Sequence, residues 1–116
     1  MVNDVDCLFC SIVAGEVPAE VVHRTDTTVA FRDVQPQAPT HVLVVSRAHV
    51  PDAAALSVQH PGVLDDMVGA AAAVAGQDGL DRGYRLVLNT GADALQTVFH
   101  VHLHVLGGRS MLWPPG

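Results

Sequence analysis

The chain contains no lysine, and all six of its basic residues are arginine. Against twelve acidic residues this leaves a formal net charge of −6. Such a chain lacks the electrostatic footprint of a nucleic-acid backbone binder, so no nucleic-acid partner is expected. Charged residues make up only 16% of the chain and hydrophobic ones 49%, a balance that excludes a disordered tail protein. No apolar run approaches the ~20 residues of a membrane span, so no membrane partner is expected. The opening residues, Met1 to Asp6, lack the basic region of a secretory signal, and a cytoplasmic location is expected. There is no internal repeat, low-complexity tract or linker. Cysteine is scarce too: Cys7 and Cys10 are the whole complement. In a reducing compartment a C-x-x-C pair reads as metal-binding or redox before it reads as a structural disulfide. The pair does not follow a strand in a βαβ pattern, which argues against a thioredoxin-like role.

The 116 residues fit one domain, residues 1–116, with a single core. Cys7 to Ala14 reads as a short helix stopped by Gly15. Val21–Arg24 and Thr28–Asp33 read as a hairpin, followed by the proline-broken loop Gln35–Pro39. His41–Ser46 reads as a buried strand. Leu64, Met67, Val68, Ala71, Ala72 and Ala75 recur at helical period between Pro61 and about Gly76. Tyr84–Asn89 and Phe99–Leu106 complete about five strands and two helices. Few helices and an opening hairpin predict an α+β fold with a mainly antiparallel sheet.

Chemistry concentrates in His100-Val101-His102-Leu103-His104-Val105-Leu106. Side chains alternate along a strand, so three imidazoles share one face while Val101, Leu103 and Val105 turn to the core. His100 and His104 then sit about 13 Å apart, too far to share one zinc whose nitrogen ligands lie at about 2.1 Å. Two neighbouring imidazoles on one metal, nucleophilic and acid–base work on phosphate, and a merely solvated strand face all remain open. Imidazole suits phosphate work because its ordinary pKa near 6.5 leaves one nitrogen free to attack while the other donates.

The chain resembles the histidine triad nucleotide-binding proteins, in particular their Hint branch. The resemblance is carried by Cys7–Ile12, Ala30–Val34, Pro36–Val44, Gly83–Arg85, Asn89, Gln96–Arg109 and the tail Trp113-Pro114-Pro115-Gly116. It implies a homodimer whose two five-stranded sheets join into one of ten strands. It also implies hydrolysis of purine nucleoside phosphoramidates or related adenylated compounds through a nucleotidyl-histidine. His102 stands at the nucleophile position, with His104 and His41 contacting phosphate and supporting it. Asn89, Gln96 and Thr97 match the phosphate loop, the Thr97 hydroxyl being able to bond phosphate or leaving group. Asp33 matches the residue that accepts from the ribose hydroxyls, and Leu8, Phe9, Ile12 and Val34 match an apolar slot for the base. Trp113 is expected to approach the partner subunit's site. Some bacterial members pair the C-x-x-C with two histidines, here His49 and His100, as a structural Cys₂His₂ zinc site; no organic cofactor is implied. The chain departs from the pattern at Ala94-Leu95, where many Hint members carry glycines whose backbone N–H groups curl around phosphate. Two other readings compete: hydrolysis of dinucleoside polyphosphates, towards which Thr97 leans, and a nucleotide- or zinc-binding interaction module with little catalysis.

Overall fold

The computed structural model describes residues 7–116; the acidic stretch from Met1 to Asp6 lies outside the described residues. Eight elements follow along the chain: α1 (Leu8–Val13), β1 (Val21–Arg24), β2 (Thr28–Arg32), β3 (Thr40–Ser46), α2 (Ala53–Gln59), α3 (Val63–Gln77), β4 (Tyr84–Leu88) and β5 (His102–Gly107). The strands form one sheet in the order β1-β2-β3-β5-β4, and every adjacent pair is antiparallel. The expected α+β class and five-stranded sheet are therefore present.

Three helices stand where two were expected. The additional one, α2, has seven residues and buries only Leu56, too little apolar period to announce itself in sequence. Its start is chemical: the Asp52 carboxylate accepts from the Ala55 N–H at 2.9 Å and caps the first turn. The last strand begins at His102, later than the expected Phe99. The residues before it are engaged elsewhere, since the Val101 N–H donates to the Val50 carbonyl at 2.8 Å.

The sheet has a core on each face. On one face α3 lays Met67, Ala70, Ala71 and Val74 against Val42, Val44, Leu103 and Val105. The alanines permit a close helix–sheet approach, and burying a Leu or Val side chain there is worth about 1.5–3 kcal/mol. On the other face α1 packs Phe9 against Phe31, with Leu43 and Val45 beneath. Period two along β5 sends Leu103 and Val105 to the first core and His102 and His104 to the second face. Arg32 ties the end of α3 to the sheet. Its guanidinium donates to both oxygens of Asp78, at 2.5 and 3.0 Å, and the Thr40 hydroxyl adds a third bond at 2.7 Å. No helix among the described residues is long and apolar enough to cross a membrane.

Candidate active site and metal centre

His102 and His104 project from the α1 face of β5, with ring centroids 5.1 Å apart. Phe9 from α1 meets the His102 ring edge-on at 5.0 Å. The His102 Nδ1–H donates to the His100 carbonyl at 2.8 Å. A carbonyl only accepts, so the neutral ring must carry its proton on Nδ1. Nε2 is left as a bare lone pair, the form of imidazole that attacks an electrophile.

A second chain of bonds fixes His104. The Gln37 backbone N–H donates to His41 Nδ1 at 3.0 Å, so His41 holds its own proton on Nε2. That nitrogen lies 2.9 Å from His104 Nδ1, which accepts, and His104 is left presenting Nε2–H as a donor. The Asp33 carboxylate stands 3.5 Å from His41 Nε2. Burial pushes the His104 ring from its ordinary 6.5 down to about 4, and the neighbouring His102 and His41 add to the shift. Burial lowers His41 as well; Asp33 pulls the other way and loses. The two β5 histidines thus differ in role: one shows a lone pair and the other a hydrogen.

The remaining expected site residues fall into three groups. Phe9 is buried and Ile12 half-buried, whereas Leu8 is 50% and Val34 94% exposed, available to a ligand rather than to the core. Asp33 accepts from the Gln35 N–H at 2.8 Å through one oxygen and turns the other to His41. Asn89 and Gln96 clamp the loop between β4 and β5. The Asn89 amide donates to the Ala94 carbonyl; the Gln96 carbonyl oxygen accepts from the Gly91 N–H. The Gln96 amide nitrogen donates to the carbonyls of Pro51 and Val98. The buried Gln96 side chain is therefore committed to tying the loop together and to Pro51, while Thr97 beside it is exposed. Leu95 is the one non-glycine residue at positive φ, +61°, among the described residues. Trp113 stands 82% exposed. A cavity of about 630 Å³ lies by Leu80, Tyr84, Arg82, Arg85 and Arg109, and none of the histidines lines it.

The cysteine pair meets two histidines. Cys7 Sγ lies 3.3 Å and Cys10 Sγ 3.5 Å from His100 Nδ1. His49 Nδ1 lies 3.2 Å from both Cys10 Sγ and His100 Nδ1. All four ligand atoms fall within 4.8 Å of one another. A tetrahedral zinc with bonds of about 2.3 Å to sulfur and 2.05 Å to nitrogen needs edges of about 3.3–3.8 Å. The four side chains fit that ion. The His100 Nε2–H donates to the Ser46 carbonyl at 2.7 Å, which aims its other nitrogen at the centre of the cluster. A second grouping, Asp33 with His41 and His104, is the hydrogen-bond relay already described.

The HIT domain family model matches residues 14–111, from the end of α1 past the whole of β5. The chain belongs to the HIT family. The HIT-domain chain is 44% identical to a HIT family hydrolase of known structure from Legionella pneumophila, with a TM-score of 0.91 over 96% of this chain and 100% of that one. It is 39% identical to the purine nucleoside phosphoramidase of Escherichia coli, over 91% of this chain and 90% of that protein. It is 40% identical to a 14 kDa zinc-binding protein of Zea mays, over 98% and 91%. The matched domain holds all the histidines of both clusters, while Cys7 and Cys10 precede it.

Three contributors escaped the sequence reading: the Gln37 N–H, the Ser46 carbonyl and the His100 carbonyl. All are backbone groups, which every residue carries, so no side-chain pattern could mark them.

Proposed function

We propose that this HIT-domain protein hydrolyses purine nucleoside phosphoramidates, or aminoacyl-adenylate-like species, with His102 as nucleophile. The observation that carries the reading is the lone pair left on His102 Nε2 by the bond from Nδ1 to the His100 carbonyl. The name of the Escherichia coli relative supports the substrate class.

Nε2 attacks the α-phosphorus, the phosphorus–nitrogen bond breaks, and the amine leaves with a proton taken up from solvent. Water then attacks the same phosphorus and returns a proton to solvent, the bond to Nε2 breaks, and the monophosphate is released. Two easier displacements replace one hard one. The His104 Nε2–H steadies the charge that builds on a phosphoryl oxygen, and His41 holds that ring in its donating form. The exposed Thr97 hydroxyl bonds phosphate or leaving group. Phe9, Ile12, Leu8 and Val34 receive the base, and apolar contacts of this kind discriminate weakly between adenine and guanine. Asp33 keeps lone pairs free for the ribose hydroxyls. The clamped backbone from Asn89 to Thr97 faces the phosphate.

Zinc held by Cys7, Cys10, His49 and His100 acts as a structural tie, leaving the phosphate chemistry to the histidines. The protein works as a homodimer. The open edge of β4 pairs with a second copy to extend the sheet to ten strands, and Trp113 reaches the partner subunit's site. No disulfide joins Cys7 to Cys10, in keeping with a cytoplasmic setting.

Mass spectrometry of a quenched reaction tests the proposal. A nucleotide adduct on His102 is expected, and His102→Ala is expected to lose at least about 10³-fold in kcat while still binding nucleotide. Turnover by that variant at the parental rate removes the mechanism.

A further inference from the structure

We infer that the cavity at the Tyr84 end of β4 is a second anion site, which takes an oligophosphate group carried free or on a nucleoside. The inference is independent of the reading of His102, since none of the histidines lines this cavity.

The chain is acidic overall, yet three of its six arginines, Arg82, Arg85 and Arg109, line this one concavity. No carboxylate lines it. Among the described residues only Arg32 pairs with carboxylates, those of Asp78 and Glu20, and neither of these lines the cavity. Asp81, next to Arg82 in the chain, is exposed and pairs with none of the three. Like charges that share a cavity without a counter-charge repel one another. An oxyanion of several negative charges relieves that repulsion and receives charge-assisted, forked hydrogen bonds from the guanidiniums. The net charge of the whole chain slows the encounter with such a ligand but does not set the field inside the cavity.

Two of the three arginines are already held in place. Arg85 Nη2–H donates to the Leu112 carbonyl at 2.9 Å. Arg109 donates from Nε to the Gln37 carbonyl and from Nη1 to the Ser110 carbonyl, each at 3.0 Å. Most of the five N–H groups of each guanidinium remain unused. The turn that delivers Arg109 is pinned as well. Gly108 sits at φ +91°, and a Cβ there would meet Pro39 at 2.9 Å, so the chain leaves β5 pressed against the loop before β3. Much of the cost of ordering these two long side chains is thus met by the fold before a ligand arrives. Arg82 is exposed and makes no internal bond, which leaves it able to close over the ligand.

The size of the cavity narrows the ligand. At about 630 Å³ it is ample for a small molecule rather than a lone ion. Three forked donors also exceed what the oxygens of a single phosphate can engage, whereas a chain of phosphates matches them. Leu80 and Met111 supply apolar wall. Tyr84, 40% exposed and with its hydroxyl unpartnered among the described residues, offers a ring face and one more donor.

Two-dimensional ¹H–¹⁵N spectra of the full chain test the inference, with adenosine monophosphate in excess to fill the candidate active site. The probes are sodium tripolyphosphate and adenosine triphosphate, each compared with sodium chloride at equal ionic strength and without added divalent ions. Both are expected to move the amides of Gly83, Arg85, Gly108 and Ser110 and the side-chain Nε–H signals of Arg85 and Arg109. Arg82→Gln removes a charge from an exposed side chain with no internal bond, so the fold is kept, and it is expected to weaken binding about 10-fold. Tighter binding of adenosine triphosphate than of tripolyphosphate assigns the site to a nucleotide whose base lies on Tyr84; affinity no greater assigns it to the free oligophosphate. No movement at these amides overturns the inference, whether the cavity stays empty or a second copy fills it. So does movement that sodium chloride reproduces, movement confined to residues 89–104, or an Arg82→Gln variant that binds as tightly as the parent.

Discussion

His41 Nε2 and His104 Nδ1 lie 2.9 Å apart although 63 residues separate them in the chain. Strands β3 and β5 pair in a register that sets His41 against Leu106 and His104 against Leu43, so the two histidines sit diagonally on adjacent strands. The bond needs a neutral His104, because a protonated Nδ1 has no lone pair with which to accept. Burial enforces that, holding His104 near 4.

The sign of the resulting pH dependence follows. The native state disfavours the proton on His104, whereas the unfolded chain takes it near 6.5. Stability is therefore full above about 6.5 and falls as pH drops from there to about 4, where both states are charged. His41 is lowered too and adds in the same direction. Urea midpoints at pH 7, 5.5 and 4.5 check this. The decline is expected to be shallower in His104→Asn, and an equal decline in both proteins refutes it.

Asp78 governs a lower window. Its carboxyl is held below the usual range, chiefly by the Arg32 bond and further by Thr40, against burial. A depressed carboxyl stabilises above its unfolded pKa and the contribution is lost as pH falls through the folded value. Asp78→Ala is expected to cost about 1–3 kcal/mol near neutral pH, because it leaves the Arg32 guanidinium and the Thr40 hydroxyl short of an acceptor. Denaturation at pH 7 measures it, and a parental midpoint contradicts it.

Metal analysis of protein purified without chelator is expected to find about one zinc per chain. Cys7→Ser is expected to lose it. A metal-free parent that also fails to take up added zinc argues against the site.

Leu95 carries backbone strain without packing in return. A side chain in the left-handed region costs roughly 1–2 kcal/mol, and part of the relief on changing it to glycine is offset by the looser unfolded chain. The Leu95 side chain is 81% exposed, so removing it forfeits little burial. Leu95→Gly is expected to be stabilising by up to about 1 kcal/mol. A lower melting temperature for that variant contradicts the account.

Much of this was legible before any coordinates. Alternation placed Leu103 and Val105 in the core and His102 and His104 opposite them, because the period of a strand is fixed by covalent geometry. The C-x-x-C sulfurs also meet at one point, although Cys7 is the extended N-cap of α1 and not, as expected, part of the helix. What escaped depends on partners remote in sequence. Helix α2 is too short to show a period. Gln96 looked like a phosphate contact, yet its amide is directed at Pro51, 45 residues away. Alternation puts His100 on the strand face beside His102 and His104, whereas it lies before the strand; its place with Cys7, Cys10 and His49 is the one the resemblance implies.

The loop clamped by Asn89 and Gln96 has a thermodynamic corollary. Its turn is closed by bonds from Leu95 and Gln96 back to Ala92 and Gly91, so its shape exists before any ligand arrives. If the proposed function holds, a phosphate docking on this loop has no floppy segment to freeze and avoids the ordering penalty that a disordered cradle would impose. Amide order parameters along residues 89–97 should then be nearly the same with and without nucleotide.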